Sequence, residues 1–139
     1  MTAHISQWEA FMLETLVSKG ISSTDLLFFL QTKDVAAIEV YDTSFEYEDL
    51  LTAYETDTEN ITKAVLEGYS VKFLTKLGVK KLLSLKFDLE EGTGYQVNGN
   101  VFEDVSISNS KQELLRVILS SNWKLEKEEN SIRIVPIAG

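Results

Sequence analysis

The 139-residue chain is 44% hydrophobic and 25% charged, with 13 bases, 22 acids, one histidine and no cysteine. That length suits one domain, and the lack of cysteine removes disulfides, thiolate chemistry and Cys-ligated metal sites. The longest apolar run, Leu26–Leu30, falls far short of the about 18 residues or more of a membrane helix.

The opening MTAHISQWEAF has no cationic region followed by an apolar segment, so no signal peptide is expected. Ser6-Gln7-Trp8-Glu9 is a capping box, which predicts a helix with Trp8, Phe11, Met12 and Leu16 on one side, widened by Leu13 and Val17. Lys19 suits its last turn, and Gly20 suits the left-handed position that closes it. Ser22-Ser23-Thr24-Asp25 offers a second start, into DLLFFLQTK, whose successive apolar residues demand burial all round or a covering partner. VAAIEVY (35–41) lacks a helical stripe and ends β-branched and aromatic, which predicts a buried strand. Ser44 can cap a helix over 45–55, with Tyr47, Leu50, Leu51 and Tyr54 at i, i+3, i+4 and i+7. Thr56-x-x-Glu59 then starts another helix over 57–67, closed by Gly68.

From Val71 the period changes. VKFLT reads as a strand, and Leu83, Leu85, Phe87 and Leu89 alternate with polar residues as a half-buried strand. Val97-Asn98-Gly99-Asn100 is a hairpin signal, because Asn-Gly supplies the two positive φ angles of a type I′ turn; Tyr95 then faces Phe102. Ser110 opens the helix SKQELLRVILSSN. A last hairpin turning at Glu129-Asn130 sets Leu125 opposite Ile134 and Glu126 opposite Arg133. The segment SKQELLRVILSSNWKLEKEENSIRIVP resembles the helix–hairpin start of HicA-type RNA-cleaving toxins. The catalytic histidine of that family would fall on the hairpin, where this sequence has none, so the resemblance implies supersecondary structure and no residue role.

The expectation is a single cytoplasmic α+β domain over residues 1–139. A helix-rich first half, with three to four helices and one strand, packs on an antiparallel sheet of hairpins with one covering helix.

Few motifs carry chemistry. His4, the sole imidazole, lies near the N-terminus and cannot form a His-rich metal site, and no Gly-x-Ser-x-Gly elbow exists. Gly92-Thr93-Gly94-Tyr95-Gln96-Val97 lacks the third glycine of a dinucleotide loop and runs into a hairpin strand, so a tight turn is expected. A calcium loop starting at Asp42 would put Ser44 and Glu46 at ligand positions, but Tyr47 stands where glycine is required and Ala53 where glutamate is. No cofactor or metal is expected from motif. Lys72, Lys76, Lys80, Lys81 and Lys86 raise nucleic acid, but Phe73 and Phe87 fit strand alternation, and the net charge of −9 opposes a polyanion.

The charge map is more informative. Residues 34–62 hold nine acids and no base, while the rest of the chain holds 13 of each. Acids in a first helical turn oppose the helix dipole, yet that does not require the loss of every base over 29 residues. The reading is a non-enzymatic interaction protein presenting an acidic helical surface, about residues 39–59, to a basic protein partner: an inhibitor, an immunity-type protein or a nucleic-acid mimic. Its contacts would be Asp42, Glu46, Glu48, Asp49, Glu55 and Asp57, with Tyr41 and Phe45 as anchors, since Tyr47 and Tyr54 belong to the buried stripe. Alternatives are a small ligand- or cation-binding enzyme using carboxylates in a cleft, and nucleic-acid binding through the lysine block 72–86. The DLLFFL helix also suits homo-oligomers.

Overall fold

The computed structural model describes residues 3–119, 122–127 and 131–137, and the chain divides into two units, Met1–Tyr69 and Ser70–Gly139. The fold is α+β, with helices dominating the first half and a four-stranded antiparallel sheet in the second.

In the first unit, β1 (Ala3–Ile5) leads into α1 (Gln7–Ser18), started by the Ser6–Glu9 capping box. Ala10, Phe11, Met12, Leu13, Glu14, Thr15 and Leu16 are all buried, so the middle of α1 is covered on every side, while Trp8 and Val17 near its two ends are exposed. Gly20 takes a positive φ of 99° just after the helix. Ser22 caps α2 (Ser23–Gln31) through the amide of Asp25. Only Leu26 and Leu30 of its apolar run are buried, and Phe28 is exposed.

The expected strand at 35–41 is instead α3 (Val35–Glu39), because the Asp34 carboxylate accepts from the Ala37 amide and starts a short helix with Ile38 inward. A side-chain cap at its start outweighs the β-branched ends of VAAIEVY. α4 (Tyr47–Thr56) begins two residues later than expected. Its N-cap is Glu46, without a side-chain cap bond, because the Ser44 hydroxyl turns back to Asp42. α5 (Thr58–Glu67) is capped by Asp57, not Thr56, whose hydroxyl donates to the Thr52 carbonyl, and it ends at Gly68, φ 101°. Asn60 on α5 clamps β1, bonding both the amide and the carbonyl of His4. β1 pairs with β2 (Tyr69–Val71) in a small parallel sheet, and the unit boundary falls within β2.

The second unit departs most from its sequence pattern. Of the strand expected over 71–75 only Val71 is one, as the end of β2, and 83–90 is not a strand: Thr75 caps α6 (Lys76–Phe87), and Asp88 closes it in the left-handed region. Val79, Leu82, Leu83 and Phe87 are buried, a helical spacing that the alternation of Leu83, Leu85 and Phe87 disguises. β3 (Gln96–Asn98) and β4 (Val101–Glu103) form a hairpin in which Val97, not Tyr95, faces Phe102. Among the turn residues only Gly99 has positive φ, so the turn is Gly99-Asn100 and the register shifts by two. A two-residue shift keeps each side chain on its face, and the Tyr95 and Phe102 rings still meet at 5.5 Å. α7 (Asn109–Leu119) begins one residue before Ser110; the Ser120 and Ser121 expected to extend it lie outside the described residues.

β5 (Trp123–Lys127) and β6 (Ile132–Pro136) pair in the expected register, Leu125 with Ile134 and Glu126 with Arg133; the turn at Glu129-Asn130 lies outside the described residues. The sheet order is β3-β4-β6-β5, with Phe102 opposite Ile134. Phe102, fully buried, sits edge-on to both Tyr95 and Trp123.

Candidate acidic interface

The acids of residues 34–62 divide by what they touch. Asp34 and Asp57 cap helices, and Glu55 pairs with Lys33 at 3.1 Å. Asp42 faces inward on its own loop: one carboxylate oxygen accepts from the Ser44 amide, the Ser44 hydroxyl and the Tyr47 phenol. Burial pushes the Asp42 carboxyl up, but the bonds from Ser44 and Tyr47 outweigh it and leave its pKa lowered. Burial, reinforced by Asp42, drives the Tyr47 phenol far above its ordinary range. Asp42 therefore anchors the loop that leads into α4.

The other five acids, Glu39, Glu46, Glu48, Asp49 and Glu59, are exposed, and their side chains make no hydrogen bond or ion pair among the described residues. Tyr47, Leu50 and Tyr54 bury one face of α4, which leaves Glu48 and Asp49 on its solvent side. The carboxylates exposed at the start of α4 are therefore without counterions among the described residues.

Of the aromatics expected as anchors, neither Phe45 nor Tyr41 is fully exposed. Phe45 is half-buried, packed edge-on against Trp8 at 5.0 Å and Tyr47 at 6.1 Å. Tyr41 is also half-buried. The residue missed by sequence reading is Trp8, 48% exposed and edge-on to Phe45, which precedes Glu46 in the chain. Its place in the helical stripe concealed this, and the only signal was its position in the first turn of α1. Also unforeseen is the buried pair Glu14 and Tyr69, in which the phenol donates to the carboxylate. Burial first, and then the Glu14 charge, push the Tyr69 phenol well up.

Elsewhere, His4 is exposed on β1. The Gly92–Val97 segment opens as a tight turn, with the Gly94 amide donating to the Glu90 carbonyl at 2.7 Å. A Cβ on Gly94 would lie 3.0 Å from the Leu89 side chain, so that glycine serves a close approach of chain to chain. Among the described residues no three His, Asp or Glu side chains gather as a metal ion would need, and no helix is long and apolar enough to cross a membrane. In the lysine block, Lys80 bonds Glu91 at 2.8 Å, while Phe73, expected in the core, is exposed.

Compared with known proteins, the chain matches no family model, no curated protein and no solved structure.

Proposed function

We propose that the chain is a non-enzymatic interaction protein whose acidic surface, centred on α4, binds a basic protein partner. The observation that carries this reading is the set of five exposed acids with no counterion among the described residues. Like charges held close on one element repel, and exposed helices ordinarily relieve this with lysine or arginine four residues away. A partner bearing arginine or lysine would supply the missing counterions and be drawn in by the field. The Trp8–Phe45 pair gives that surface an aromatic anchor, of the kind that dominates interface energetics. Asp42, Asp57 and Glu55, engaged within the fold, support the surface and Glu46, Glu48 and Asp49 present it.

The test is retrieval of partners from host lysate at low and high salt, comparing the native chain with Glu46→Gln/Glu48→Gln/Asp49→Asn and with Trp8→Ala. A stoichiometric basic protein that is lost at high salt and in the triple variant, and weakened in Trp8→Ala, supports the reading. Retention of the same partners by the triple variant refutes it.

A further inference from the structure

The segment between β2 and α6 is pinned more firmly than a surface connection requires. The Leu74 amide donates to Asn122 Oδ1 at 2.9 Å, and its carbonyl accepts from Asn122 Nδ2 and Trp123 Nε1, both at 2.8 Å. Thr75 then caps α6 through the Gly78 amide at 3.0 Å. Leu74 and Val79, at the two positions of a hydrophobic staple, are both buried.

With Leu74 turned inward, its neighbours turn out: Phe73 is 64% exposed and Leu77 74%. Lys72 and Lys76 precede them, and neither makes a side-chain hydrogen bond or ion pair among the described residues. Two lysine–apolar dipeptides, four residues apart, thus present exposed Lys72, Phe73 and Leu77 and half-buried Lys76 on a backbone fixed by side-chain hydrogen bonds. Exposed apolar groups add nothing to folding, but a fixed backbone lowers the ordering cost of association.

We propose that Lys72, Phe73, Lys76 and Leu77 form a docking surface for the acidic surface of a second copy of this chain. The inference rests on the acidic-interface reading and gives that interface one partner. The complement is visible in the same sequence. The first unit displays Val40, 83% exposed, directly after the uncompensated Glu39, together with Glu46, Glu48 and Asp49. Among the described residues its carboxylates lack cations and these lysines lack anions, and each side carries exposed apolar area to bury. Two such contacts made reciprocally close a two-fold dimer.

The experiment is sedimentation velocity on the full chain at low ionic strength, from micromolar to sub-millimolar concentration. The native chain is expected to dimerise with rising concentration. Lys72→Glu/Lys76→Glu and Glu46→Lys/Glu48→Lys/Asp49→Lys should each weaken self-association about tenfold or more, since like charges then face each other. Mixed in equal amounts the two variants should form a heterodimer, because reversal on both sides restores both contacts. Phe73→Ser/Leu77→Ser should also dissociate the dimer while its circular dichroism and melting temperature stay native. A monomer at every concentration overturns the proposal, as does a dimer indifferent to both charge reversals. So does a monomer that instead binds an oligonucleotide or an anionic vesicle through Lys72 and Lys76. If the chain is monomeric but its lysate partner still depends on Glu46, Glu48 and Asp49, the acidic interface stands and only self-docking falls.

Discussion

The two units treat charge in opposite ways. Met1–Tyr69 carries three bases against 13 acids, and Ser70–Gly139 carries ten against nine. In the second unit acids and bases meet: Lys80 with Glu91, Arg116 with Glu113, and Glu126 with both Arg133 and Lys124. The Arg133 bond, followed by that of Lys124, lowers the Glu126 pKa. In the first unit Lys33–Glu55 is the one ion pair found among the described residues. Exposed pairs of this kind contribute little to stability, so the contrast concerns what each surface shows to solvent. The second unit nearly balances its acids with bases, and the first carries a large excess of acids.

The cores contrast as well, and the largest expected effect breaks the second. Phe102 links the rings of Tyr95 and Trp123 at 5.5 and 5.7 Å and has no solvent exposure. Phe102→Ala should destabilise the chain by about 3–5 kcal/mol, read from urea unfolding. A loss under about 1 kcal/mol would mean that the sheet face is not held by this stack.

The first unit buries a carboxylate in its core, Glu14, bonded by the Tyr69 phenol. Tyr69→Phe removes the phenol that donates to Glu14 and should cost about 1–3 kcal/mol. It should also change the alkaline limb. The folded pKa of Tyr69 lies above its unfolded value of 10.0, so its contribution is complete below that pH and is lost as pH rises from there through the folded value. The phenylalanine variant should therefore unfold less steeply above about pH 10 than the native chain, by denaturant titration at several pH values.

How much of this was legible follows from which signals are local. Ser6, Ser22 and Gly68 mark helix ends correctly, because a cap involves residues three or four apart in the chain. The β5–β6 register was legible because Leu125/Ile134 and Glu126/Arg133 agree on it independently. Residues 83–89 were misread because Leu83 and Phe87 satisfy periods of both 2 and 3.6, and only the Thr75 cap and buried Val79 settle the choice. At the site, composition revealed the acidic surface, but not which acids are spent on caps. Nor could it reveal Trp8 or Phe73, whose exposure depends on how α1 packs and how Leu74 is held.

Within the acidic region itself, two groups of carboxylates should separate in the laboratory. Asp42→Ala strands the buried Tyr47 phenol and should cost about 1 kcal/mol. Because the folded pKa of Asp42 lies below its ordinary 3.8, its contribution is present above that pH and fades as pH falls through the folded value. The alanine variant should lose that acid-dependent part of the native stability.

Glu46→Gln/Glu48→Gln/Asp49→Asn should shift stability least, by under about 1 kcal/mol, because lost dipole stabilisation at the start of α4 is offset by relieved repulsion. That same variant should lose its basic partner. The carboxylate that matters most to folding would then matter least to binding, and the reverse. A triple variant that unfolds while Asp42→Ala is neutral would turn the argument around, making the exposed acids structural and leaving the field of the first unit without a use.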